Sequence, residues 1–132
     1  MYILGINAYH ADSSACLLKD GKIICATEEE RFRRIKHWAG FPSEAIKFCL
    51  QDAEISIEQV DYITISRDPK ANFYKKVIYS LRYSISLSSI WDRLMNSKKV
   101  SSVKSELASI FGLPVSSIKA KLHNIEHHRS HI

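Results

Sequence analysis

Three histidines crowd into five residues near the end of the chain, in Glu126-His127-His128-Arg129-Ser130-His131-Ile132. His127 and His131 are four apart. On a helix that spacing puts both imidazoles on one face, roughly 6 Å between their β-carbons, where they can share one cation. His128 points about 100° away and drops out of the pair. Imidazole nitrogen suits iron, zinc, copper or nickel. Two ligands do not hold a catalytic metal, so a third, often a carboxylate, is expected from elsewhere. The cluster thus reads as the opening half of a metal site completed beyond Ile132. Spacing alone leaves a solvated histidine face as an equal alternative, although Arg129 and Ser130 interrupt the run and argue against a tag. The second chemical feature is Tyr9-His10-Ala11-Asp12-Ser13-Ser14. It is polar, its residues are short or titratable, and it joins two apolar segments, which marks a functional loop on a sheet edge.

The elements that must position these residues follow from patterning. Met1 to Ala8 and Ala15 to Lys19 are apolar, strand-like runs. Asp20-Gly21 is a two-residue hairpin signal, and Lys22 to Glu28 supplies a third strand, so the first 36 residues predict an antiparallel meander. Ser43 is placed as an N-cap with Glu44 in the first helical turn. Ile46, Cys49, Leu50 and Ala53 then fall on one helical face. Val60 to Ser66 is rich in β-branched and aromatic residues, as a strand requires. The order is β-β-β-α-β. Residues 70–98 are read as a helical insertion, with Phe73, Val77, Leu81 and Ile85 in helical register. Val100, Val103, Leu107, Ile110 and Phe111 mark a further helix, closed by Gly112 and Pro114. Lys121 to Glu126 is a short strand leading into the histidines.

Bulk properties narrow the class. Hydrophobic residues at 45% and charged residues at 25% of 132 are ordinary for a globular domain. No apolar run approaches the roughly 20 residues needed to span a bilayer, and the N-terminus lacks a secretory leader. Cys16, Cys25 and Cys49 are an odd, scattered set among apolar neighbours. They read as buried free thiols in a reducing compartment, which points to the cytoplasm. The net charge of +5 is spread rather than striped, so no nucleic acid partner is expected.

The segments Ile3-Leu4-Gly5-Ile6-Asn7-Ala8-Tyr9-His10-Ala11-Asp12-Ser13-Ser14-Ala15-Cys16, Asp20-Gly21-Lys22-Ile23, Glu28-Glu29-Glu30-Arg31-Phe32 with Arg34-Ile35-Lys36-His37, and Glu126 to His131 carry a resemblance. Together they are similar to the amino-terminal part of the O-carbamoyltransferases, the nodulation-factor and antibiotic carbamoyltransferase type. The resemblance implies an α/β fold: the first lobe of an actin-like ATPase (ASKHA, ribonuclease H-like) fold, a mixed sheet with flanking helices. Residues 1–132 would be the N-terminal portion of the catalytic domain, with a second lobe and a YrdC-like domain still to come. The fragment alone is expected to be inactive, and a sheet face left open invites self-association. Family chemistry would make carbamoyl-adenylate from ATP and carbamoyl phosphate, then move the carbamoyl group to a hydroxyl of a small-molecule acceptor. Neither nucleic acid nor membrane takes part. A tRNA threonylcarbamoyl-transferring enzyme is the rival, disfavoured by the Glu-Glu-Glu-Arg-Phe segment.

The resemblance also distributes roles. His127 and His131 match the family's metal pair, for iron, with zinc the alternative, and the metal would act as a Lewis acid. His10 matches a loop histidine that orients the acceptor hydroxyl or serves as its base. Asp12 stands for that loop's carboxylate, here separated from His10 by Ala11. Lys36 matches a lysine that meets phosphate or carbamoyl oxygen, a catalytic and cofactor-binding role. Glu28, Glu29 and Glu30 are expected to pair with the arginines, Arg33 and Arg34 to be solvated, and Trp38 and Phe41 to pack.

Overall fold

The chain folds on a five-stranded mixed sheet in a computed structural model that describes residues 1–9, 11–66 and 103–126. Strand β1 (Tyr2–Asn7) is central, and the order across the sheet is β3-β2-β1-β4-β5. β2 (Ser14–Lys19) and β3 (Lys22–Glu28) are antiparallel to their neighbours, as the meander requires. β4 (Tyr62–Ile65) runs parallel to β1, and β5 (Lys121–Asn124) runs parallel to β4. This is the mixed α/β sheet that the resemblance implied. The expected insertion at 70–98 lies outside the described residues.

Register follows from burying one face. Leu4 lies opposite Leu17 and Ile63, and Ile6 opposite Ala15 and Ile65. All six are buried, so a one-residue slip of β1 would turn its core side chains outward. Asp20 and Gly21 both have positive φ, 52° and 81°, which makes the β2–β3 connection the primed hairpin turn that Asp-Gly favours. β3 carries a bulge at Ile24, where the pairing steps from Leu17–Cys25 to Leu18–Ile23, and this interrupts an otherwise open edge.

Among the described residues two longer helices cover the core. Helix α1 (Glu30–Arg33) is a single turn that patterning did not predict. Helix α2 (Ser43–Asp52) packs over β2 and β3 through Ala45, Ile46, Cys49 and Leu50. Burying Ile46 and Leu50 contributes roughly 1.5–3 kcal/mol each. Helix α3 (Val103–Phe111) buries Val103, Leu107 and Ala108. It ends in a Schellman motif: Gly112 adopts φ 64°, Leu113 N donates to the Ala108 carbonyl at 2.9 Å, and Gly112 N donates to Ser109. Gly5 is required for a different reason. A β-carbon there would lie 2.7 Å from Cys16 Sγ across the strands. Among the described residues no helix is long and apolar enough to cross a membrane.

Candidate functional site

β1, β2, β3 and β4 bring Asn7, Ser14, Glu28 and Ser66 to one end of the sheet. The loop after β1 sits there too, so it crowns the central strands instead of lying at a lateral edge as expected. His10 lies outside the described residues, but its neighbours on both sides are pinned. Tyr9 N donates to the Gly40 carbonyl at 3.1 Å. Its hydroxyl donates to Glu106 of α3 at 2.5 Å, and its ring lies against Phe41. Ser13 is buried; its N donates to the Trp38 carbonyl at 3.0 Å and its hydroxyl to Gly40 at 2.7 Å. Asn7 closes the loop from below. Its amide accepts from Ser66 Oγ at 2.8 Å and donates to the Asp12 carbonyl at 3.1 Å. The loop is therefore tied to the 38–41 segment at both ends.

Asp12 is exposed, and its Oδ1 lies 2.8 Å from His37 Nδ1. That hydrogen bond, and then the charge of the same carboxylate, hold His37 above the usual imidazole range. His37 N also donates to Glu30 Oε2 at 3.3 Å. Lys36 is exposed in the adjoining turn. With Glu30, Arg31 and Arg34 it lines a cleft of about 460 Å³. Arg31 also lines a second cleft, about 610 Å³, with Asn7, Ser14, Glu28 and Ser66. The structure thus brings Asp12 into contact with the segment that carries Lys36, which sequence alone did not foresee.

Beneath this surface the buried Glu29 carboxylate makes an ion pair with Arg33, and its position corrects one expectation. Arg33 remains exposed to solvent, as expected, but is also paired: its Nε donates to Glu29 at 2.6 Å, and its guanidinium lies 4.5 Å from the Trp38 ring centroid. Ser43 is not the N-cap of α2, because it already belongs to the helix, and the preceding Pro42 offers no side-chain acceptor. The orphan N–H of Ala45 is instead satisfied by Glu29 Oε2 at 2.8 Å. A fully buried carboxylate from another element therefore caps the helix and complements its dipole. The structural ion-pair role expected of the glutamates holds for Glu29. The Glu29–Arg33 spacing of four was the available signal. Gly40 is required under Trp38, since a β-carbon would lie 2.7–2.8 Å from the indole ring. Trp38 and Phe41 pack, as expected.

The cysteines are unpaired. Cys25 and Cys49 are buried, while Cys16 is half-buried on the sheet face opposite α2. His127 and His131 lie outside the described residues. Among the described residues no three metal-ligating side chains converge. Ile125 N donates to the Ile65 carbonyl at 2.8 Å, so the chain leaves β5 towards the histidines at the same sheet end as the loop after β1.

The family described as Carbamoyltransferase N-terminus matches residues 2–132, spanning both the loop and the histidine cluster. The chain belongs to that family. The uncharacterized protein sll1178 of Synechocystis sp. is 38% identical over 138 residues, covering 98% of this chain and 22% of that protein. The nodulation protein NolNO of Sinorhizobium fredii is 40% identical over 57 residues, 43% of this chain and 8% of that protein. This carbamoyltransferase N-terminal domain therefore spans about a fifth or less of these two relatives. Among solved structures, YeaZ from Pseudomonas aeruginosa aligns with a TM-score of 0.46 and 14% identity, over 95% of this chain and 42% of that one.

Proposed function

We propose that this domain belongs to a cytoplasmic enzyme that transfers a carbamoyl group from carbamoyl-adenylate, made from ATP and carbamoyl phosphate, to a hydroxyl of a small-molecule acceptor. The observation that carries the proposal is the tie between two loops. The loop bearing His10 is pinned to the segment bearing Lys36, whose cleft is lined by three cationic side chains and Glu30. Cations at that place would meet charge developing on a leaving phosphate. The bonds from Tyr9, Asp12 and Ser13 to residues 37–40 hold the two loops together, as positioning of reacting groups requires.

His127 and His131 would hold the metal, iron or alternatively zinc, together with a third ligand. Two imidazoles four residues apart suit either ion. When bound, the metal would supply Lewis acidity at a phosphate or carbamoyl oxygen. Elemental analysis of a longer protein that extends beyond Ile132 tests the site. Removing a ligand with His127→Ala should lower metal content by roughly tenfold or more. Equal content in variant and wild type would sink the ligand assignment.

A further inference from the structure

Asp12 and His37 are arranged as more than a strap between two loops. With Asp12 Oδ1 2.8 Å from His37 Nδ1, the proton of a neutral imidazole belongs on Nδ1. Nε2 is then left with its lone pair, on a side chain that is 76% exposed. A carboxylate that fixes an imidazole tautomer in this way prepares a general base. Both residues hold left-handed backbone, φ 63° and 54°, so each loop is bent to present its half of the pair. The charged groups facing His37 are Asp12 and Glu30, with Lys36 beside it in sequence. Arg31 and Arg34 line the Lys36 cleft.

We propose, resting on the carbamoyl-transfer reading above, that His37 is the base that takes the proton of the acceptor hydroxyl, with Asp12 as its positioning residue. The step balances. The acceptor O–H bond breaks and its proton passes to His37 Nε2, while the oxygen bonds to the carbamoyl carbon. The bond from that carbon to the phosphate oxygen breaks, and the electron pair leaves on the phosphate, whose charge Lys36 meets. The imidazolium then gives its proton to water. A base works best with its pKa near the operating pH, and the Asp12 bond shifts His37 in that direction.

Two readouts test the pair. In the 132-residue chain, long-range ¹⁵N–¹H NMR should show His37 in the Nδ1–H tautomer when neutral. Asp12→Asn should lower the midpoint of its titration. An Nε2–H tautomer, or an unmoved midpoint, overturns the pairing. In the carbamoyl-transferring form of the protein, His37→Gln keeps a donor for Asp12 but removes the base. It should lower kcat about 10²-fold or more, with KM changed by no more than about threefold. Asp12→Asn should move the acidic limb of the kcat profile to lower pH, which a merely structural strap would not do. Variants that transfer like wild type, with an unmoved limb, overturn the base role and leave the carbamoyl-transfer reading standing. A wild-type protein that transfers to no hydroxyl overturns both.

Discussion

Replacing Glu29 by alanine removes an acceptor on which the second helix and Arg33 both lean. The Glu29 carboxylate is fully buried and receives Ala45 N at 2.8 Å, Arg33 Nε at 2.6 Å and Ser43 Oγ at 3.4 Å. Losing a helix cap costs about 1 kcal/mol, and stranding the Ala45 N–H adds roughly 1–3 kcal/mol. Loss of negative charge at the positive end of α2 adds about 0.3–1 kcal/mol. These contributions overlap, because one group supplies them all. Arg33 is 35% exposed and can rehydrate, which keeps the loss below that of a wholly buried pair. The expected destabilisation is about 3 kcal/mol for Glu29→Ala. Glu29→Gln keeps an acceptor for Ala45 but loses the charge, and should cost roughly half as much. In urea, with a slope of about 1.5 kcal/mol per molar, the alanine midpoint should fall by about 2 M at unchanged slope. A loss below about 1 kcal/mol would refute the cap.

Two more outcomes follow from burial and backbone conformation. Burial pushes the Cys16 thiol up, and burial followed by a hydrogen bond with Cys25 pushes Cys49 up further. Both therefore hold less thiolate in the folded chain than unfolded at any pH below those raised values. A thiol reagent at pH 8 should label Cys16 more slowly than a model thiol, and Cys25 and Cys49 only in denaturant; rapid native labelling of Cys49 would contradict the packing. Arg34 caps α1 with φ 60°, so Arg34→Gly should leave stability unchanged or raise it by about 0.5–1 kcal/mol in thermal melts. A loss above about 1 kcal/mol would mean that the guanidinium holds the turn together.

The sheet was legible because its signals are local. The apolar run of β1, the Asp-Gly turn and the β-branched run of β4 each fall within a few residues, and Gly112 marks the end of α3 as expected. The site was legible only as a set of residue types. Nothing in the sequence links Asp12 to His37, 25 residues apart, or Tyr9 to Glu106, 97 apart. Those contacts exist because β1 is central, so the loop at its end meets chain arriving from both sides. The burial of Glu29 at the start of α2 was not foreseen, for a similar reason. A charge run looks solvated until a helix terminus is packed against it, and the position of α2 over β2 and β3 is a tertiary fact.

Where backbone strain falls also bears on what the loops are for. Among the described residues six other than glycine have positive φ, and four of them, Tyr9, Asp12, Arg34 and His37, lie in the two loops that meet at the candidate site. Aspartate tolerates that region, but tyrosine, arginine and histidine each cost on the order of 1–2 kcal/mol there. Glycine would avoid the cost at every one of these places. The strain persists because the surroundings over-determine the backbone: Tyr9 is fixed from Gly40 and Glu106, and His37 from Glu30 and Asp12. Tyr9 supplies a bond into α3, so its side chain accounts for its own strain. Arg34 and His37 bury nothing that would offset theirs. Exposed side chains held at a sterically expensive angle, Arg34 lining the cleft and His37 next to Lys36 in sequence, are what a site for an anionic group and a hydroxyl would need.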